Sequence, residues 1–262
     1  MRFGSFLSIN RLLLLTRNTL ILNRSQLLVL AATAGAIGLI ISAFNAFGGD
    51  GPAIHQKLFV LLLLIGGVII SGRLFRDIHR PTRATAWFMT PASISEKFIS
   101  LLLLSTIGFI VGTAAFWFLV SLVSEGLNYL LFKHTNNLFN PFEIRMFKFM
   151  GLYIILQAPF LLGAVYFKKM TFSKTVLSLG LYFIALLAAA LMVVKLIFWN
   201  DFEGLVPSYE FLSRFMDTVG SRDSSTVRFF EGLMVSLKWV FRLAMAPLCW
   251  VIAFYRLKET EV

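Results

Sequence analysis

Residues 98–124 read FISLLLLSTIGFIVGTAAFWFLVSLVS, with no Asp, Glu, Lys or Arg among them. As a helix rising 1.5 Å per residue this stretch is roughly 40 Å long, more than the ~30 Å thickness of a bilayer's hydrocarbon core. It therefore predicts a membrane span, over about 98–122. Gly108 and Gly112, with Ala115 beyond them, lie three to four residues apart and make a small-residue ridge for close helix packing.

Moving outward from this block, the same reading repeats. Charge-free or nearly charge-free stretches predict further spans at about 26–47, 54–72, 149–167, 175–198 and 234–255. Residues 3–23 mix Phe3, Phe6, Leu13 and Leu14 with Arg11 and Asn18, which predicts an interfacial amphipathic helix rather than a crossing. Arg11, Arg17 and Arg24 interrupt every candidate signal core, and the reading is that no signal is cleaved. The fold class expected is an all-α integral membrane protein of six transmembrane helices, with residues 1–262 forming a single transmembrane domain.

Composition agrees with this. The chain is 58% hydrophobic and 14% charged, with a mean hydropathy of +0.81, far from the balance of a water-soluble domain. A net charge of +11 in a soluble protein would point to nucleic acid, but here Lys and Arg gather at the ends of apolar blocks, where they orient the protein and meet anionic headgroups. Counting them gives fourteen on the loops and termini read as inward and six on the outward loops. Both termini are thus expected in the cytoplasm, and nucleic acid is not expected as a partner.

The most charged segment is 73–97, which holds Arg73, Arg76, Asp77, His79, Arg80, Arg83, Glu96 and Lys97. Pro91 pushes Thr90 out of helical geometry, ending a short helix over 73–89. Ser93-Ile94-Ser95-Glu96 then fits a capping box that starts span 3. Asn140-Pro141-Phe142-Glu143 reads as another helix start, placing the onset of span 4 near Pro141. The segment 199–233 carries six acidic residues and is read as an outer segment.

Catalytic signatures are missing. There is no G-x-x-x-x-G-K-[ST] loop to hold ATP, no H-E-x-x-H, and no G-x-S-x-G elbow, so the chain is not expected to be an enzyme or to hold a metal or cofactor. Cys249 is the only cysteine and is read as packing. Lys238 and Arg242 stand four apart on one helical face near span 6. Either an outer helix carries them along the surface before the true span begins, or they line a polar transport path. None of the Asp and Glu is read as lying within a span, which counts against a secondary carrier driven by ion gradients.

The order of elements resembles the membrane subunit of an ABC-2-type exporter: an amphipathic N-terminal helix, six spans, a charged helix between spans 2 and 3, and a broken outer segment before span 6. The strings Phe75-Arg76-Asp77-Ile78-His79, Met89-Thr90-Pro91-Ala92-Ser93-Ile94-Ser95-Glu96-Lys97-Phe98 and Tyr166-Phe167-Lys168-Lys169-Met170-Thr171-Phe172-Ser173-Lys174-Thr175 are similar to those of small bacterial permeases of this kind, notably from Bacteroidetes. The resemblance implies a permease of the bacterial inner membrane that pairs with a second copy, as homodimer or heterodimer. It also implies two separate ATPase subunits that carry the ATP and Mg. Under it, Arg73, Arg76, Asp77, Arg80 and Arg83 make or orient ATPase contacts, while Pro91, Ser93, Glu96 and Lys97 hold the turn. The alternatives are a non-transporting scaffold, assembly or immunity protein, and a secondary carrier.

Overall fold

The computed structural model describes residues 8–48, 53–74, 89, 92–133, 137–168, 170–197, 202–203, 206–207, 213 and 225–259. The described chain is helical apart from a two-rung antiparallel pairing of Phe202–Glu203 with Val206–Pro207. Among the described residues six helices are long and apolar enough to cross a membrane: Arg24–Gly48, Ile54–Leu74, Ile94–Phe132, Ile144–Tyr166, Thr171–Val193 and Lys238–Glu259. They coincide with the six expected spans and are called spans 1 to 6 below. A further helix, α1 (Ile9–Leu22), precedes them and runs through Asn23 into span 1.

The chain forms two compact units. The first comprises 1–172 with 246–262, and so contains α1, spans 1 to 4 and the last part of span 6. Its core has two centres. At one, Phe59, Leu63, Trp117, Phe139, Met146 and Tyr153 pack together. At the other, Phe98 and Leu101 of span 3 meet Leu161, Ala164 and Val165 of span 4 and Ala253 and Leu257 of span 6. The second unit, 173–245, holds most of span 5, where Leu177, Leu181, Ile184 and Leu191 are all exposed.

Spans 2 and 3 each contain one wide turn, a π-helical segment at Leu62–Gly66 and at Leu104–Gly108. Such turns loosen the regular backbone ladder, and hydrocarbon offers no water to take up the slack. At the second of them Tyr153 of span 4 donates its hydroxyl to the Ser105 carbonyl at 2.5 Å, and Gln157 donates to Ser105 Oγ at 2.7 Å. Span 4 reaches this position because Gly67 of span 2 lets the Tyr153 ring lie where a side chain would be. A Cβ on Gly67 would collide with Cε2 of that ring.

Span limits differ from the sequence reading where charged residues fall near a helix end. Span 3 starts at Ile94, with Glu96 and Lys97 buried in its first turns, and continues past Glu125 to Phe132, where Lys133 closes it with a φ of 51°. A charged side chain does not end a helix when a partner on a neighbouring helix takes the charge. Glu96 and Glu125 therefore both lie within the helix Ile94–Phe132, beyond the limits of about 98–122 read from the sequence. Span 4 begins at Ile144 rather than Pro141, because Asn140 Oδ1 accepts from the Phe142 N–H at 3.0 Å and folds the chain into an Asx turn. The box expected between Asn140 and Glu143 does not form, and Glu143 is itself the cap residue. Phe139, just before this turn, is anchored against Phe59 at a ring separation of 4.6 Å.

Gly67→Ala is expected to cost about 1–3 kcal/mol by overpacking against Tyr153. At Gly72, further along the same span, a methyl group would meet nothing within 4 Å, so Gly72→Ala is expected to be neutral or to stabilise by up to about 1 kcal/mol through helix propensity. Thermal unfolding of both variants in mild detergent checks the pair.

Candidate functional site

The first turn of span 3 is built from Ser93 upward. Ser93 has an extended backbone (φ −68°, ψ 154°) and its Oγ accepts from the Glu96 N–H at 3.2 Å. Glu96 Oε2 accepts from the Ser93 N–H at 3.0 Å, which closes the capping box expected from the sequence. The other carboxylate oxygen does something a capping box does not require. Glu96 Oε1 accepts from the Ser8 N–H at 3.1 Å, and Ser8 is the residue that caps α1. One carboxylate thus joins the N-terminal ends of two helices 88 residues apart in sequence.

Electrostatics favours this arrangement twice over. The unpaired N–H groups at a helix start carry partial positive charge, so an anion shared by two such starts is stabilised by both. Arg11, in the first turn of α1, adds a favourable charge interaction with Glu96. The carboxylate is buried, and α1 packs along the first part of span 3.

Around this junction the ends of several spans come together. Leu74, next to Arg73 at the end of span 2, packs on the cluster formed by Phe98, Leu101, Val165 and Leu257. Arg256, near the end of span 6, lies 5.2 Å from the ring centre of Tyr166 at the end of span 4. Arg73 itself is exposed in the last turn of its helix, where a cation complements the C-terminal dipole. The junction is therefore a basic end of the first unit, shared by α1 and spans 2, 3, 4 and 6.

The structure brings Arg73, Ser93, Glu96 and Lys97 to this end. Arg76, Asp77, Arg80, Arg83 and Pro91 lie outside the described residues. Lys238 and Arg242 are both exposed on the helix Ser225–Glu259, in the second unit, and the last candidate span begins at Lys238. A Cβ on Gly108 would meet only Leu103 and Leu104 of its own helix, and one on Gly112 would meet nothing within 4 Å. The close approaches occur instead at Gly67 and at Gly38, where a Cβ would stand 2.7 Å from the Trp117 ring.

A second polar cluster, at the opposite ends of spans 1, 2 and 3, lies outside the sequence expectations. Glu125 Oε1 lies 2.6 Å from His55 Nε2 and accepts from Ser42 Oγ at 3.1 Å and Asn128 Nδ2 at 3.3 Å. Asn128 also donates to Ser42 Oγ at 3.0 Å, and all four side chains are buried. The backbone carbonyl of His55 accepts from the Trp117 indole at 2.9 Å. The one signal of it in the sequence is Glu125 with Asn128 at i, i+3, which share one helical face. Among the described residues no three His, Cys, Asp or Glu are placed to share a metal ion.

These two clusters differ in what their loss should do. Ser93→Ala removes a cap and is expected to cost about 1 kcal/mol. Glu96→Ala should in addition release the start of α1, seen as increased spin-label mobility at position 10 while span 3 stays folded. Glu125→Ala leaves His55 and Asn128 buried without their acceptor, with an expected loss of about 3 kcal/mol in detergent and little change at position 10. In comparison with known proteins, the chain matches no family model and no curated protein sequence.

Proposed function

We propose that this chain is the membrane permease subunit of an ABC-2-type exporter of the bacterial inner membrane, with both termini in the cytoplasm. Two permease copies act with two separate ATPase subunits that bind ATP and Mg, and substrate leaves the cytoplasm along a path between the two copies. The observation that carries this reading is the Glu96 junction. A transporter driven by another polypeptide needs a place where a push from outside the bilayer becomes displacement of spans, and a stiff link between a surface helix and the start of a long span provides one.

The chemistry of the junction supports the assignment in three ways. Its exposed perimeter carries Arg73 at the end of span 2 and Lys258 at the end of span 6, beside Arg256, which pairs with Glu259 at 2.7 Å. The segment 73–97 continues that basic character with Arg76, Arg80 and Arg83. Behind the perimeter lies a rigid apolar cluster of spans 3, 4 and 6, so force applied to the turn is shared among several spans. In this reading Arg73, Arg76, Asp77, Arg80 and Arg83 contact or orient the ATPase, and Ser93, Glu96 and Lys97 hold the lever.

Affinity purification of the tagged chain from its native host tests the proposal. A polypeptide carrying the phosphate-binding loop is expected to co-purify, and combined Arg76→Glu and Arg80→Glu substitution should weaken that association at least about tenfold, which is about 1.4 kcal/mol. Recovery of the chain with no nucleotide-hydrolysing partner, or association indifferent to the charge reversal, would contradict it.

A further inference from the structure

Between α1 and spans 1, 2 and 3, all within the first unit, runs an apolar groove of about 530 Å³. Leu27, Leu30, Ile65, Ile69, Phe109 and Phe116 are among the side chains that form its walls. Most of the polar side chains along it are engaged elsewhere. Thr19 Oγ1 donates to the Leu15 carbonyl, Asn23 Nδ2 to the Thr19 carbonyl, and the Trp117 indole to the His55 carbonyl. Whatever fills the groove does so through apolar contact.

Size suits a slender apolar chain. An apolar protein cavity of about 150 Å³ accommodates benzene, or about 25 Å³ per carbon, and at that ratio the groove holds roughly twenty carbons. That is one extended acyl chain.

The end of the groove at α1 carries the charge information. Leu20 and Asn23 line it there, with Arg17 three residues before Leu20 and Arg24 immediately after Asn23, both exposed. From Ser8 to Gly48 the only charged residues are Arg11, Arg17 and Arg24, and Arg11 is the one drawn to Glu96. An apolar slot for one chain therefore opens beside two arginines with no acidic neighbour on α1 or span 1. We propose that the groove holds one acyl chain of an anionic phospholipid of the surrounding bilayer, with its phosphate against Arg17 and Arg24. Guanidinium groups suit this because their N–H donors match phosphate oxygens in pairs.

The full chain, extracted in mild detergent from vesicles of equal phosphatidylglycerol and phosphatidylcholine, allows a test by native mass spectrometry of the retained lipid. The wild type is expected to keep one phosphatidylglycerol in about fivefold or greater preference over phosphatidylcholine. Gly112 borders the groove and a Cβ there meets nothing within 4 Å, so Gly112→Leu extends a side chain into it and should remove most of the retained lipid of both kinds. Gly112→Ala adds little volume and should retain it, which guards against misfolding as the explanation. Joint Arg17→Gln and Arg24→Gln substitution should keep a lipid bound but abolish the preference. Equal retention of the two lipids by the wild type would overturn the proposal, as would retention unchanged in Gly112→Leu. Loss of self-association in Gly112→Leu without loss of lipid would assign the groove to a second copy instead.

Discussion

The carboxylate of Glu96 is the constraint from which the arrangement of the first unit follows. It takes one N–H from Ser93 and one from Ser8, and so fixes the start of α1 to the start of span 3. At its other end α1 runs through Asn23 into span 1, with the Leu27 N–H donating to the Asn23 carbonyl at 3.0 Å. The helix is therefore held at both ends and bridges two spans that are far apart in sequence. With α1 fixed, Arg17 and Arg24 lie three residues before and four after Leu20, which lines the groove, and the segment entering span 3 is tied to the ends of spans 2, 4 and 6. The link is electrostatic at one point and apolar behind it, which makes it short and stiff.

Hydrocarbon imposes the second constraint. Polar groups within a span gain most from internal partners, and many of the chain's polar side chains are gathered rather than scattered. Ser42, His55 Nε2, Glu125 and Asn128 bond to one another at one end of spans 1 to 3, while Ser105, Tyr153 and the Gln157 amide N–H meet around the wide turn of span 3. Glycine decides where helices can approach closely enough for these contacts. Gly67 admits the Tyr153 ring and Gly38 admits the Trp117 ring, and both rings then donate hydrogen bonds to backbone carbonyls across a helix pair.

The existence and approximate position of all six spans can be read from hydropathy, because a bilayer tests length and apolarity directly. The capping box at Ser93 and Glu96 is equally legible, since its residues lie within one turn. The second half of the Glu96 junction is not. Its partner, the Ser8 N–H, is a backbone group, identical at every position but proline, and no side chain advertises it. The polar cluster is hidden for a related reason: in sequence, Glu125 and His55 each mark the edge of a span, and only their pairing across two helices lets both be buried. The ridge at Gly108 and Gly112 is visible, but spacing alone does not say which glycines face a partner. Gly38 and Gly67 make the closest approaches to a neighbouring helix among the described residues, and Gly108 and Gly112 border the groove.

Under the proposed function these features form one path for force: the basic surface is where a companion ATPase would dock, the turn before span 3 would carry the displacement, and the apolar cluster behind it would pass the movement to spans 4 and 6. This requires that the Glu96 junction face the cytoplasm. Arg73 is exposed at that end, and Cys249, the only native thiol, is buried, so Arg73→Cys offers a thiol readable from either side of the membrane. The account predicts that a membrane-impermeant maleimide leaves this cysteine unmodified in intact cells and modifies it in inverted membrane vesicles. Labelling in intact cells with protection in inverted vesicles would place the junction outside and contradict the account.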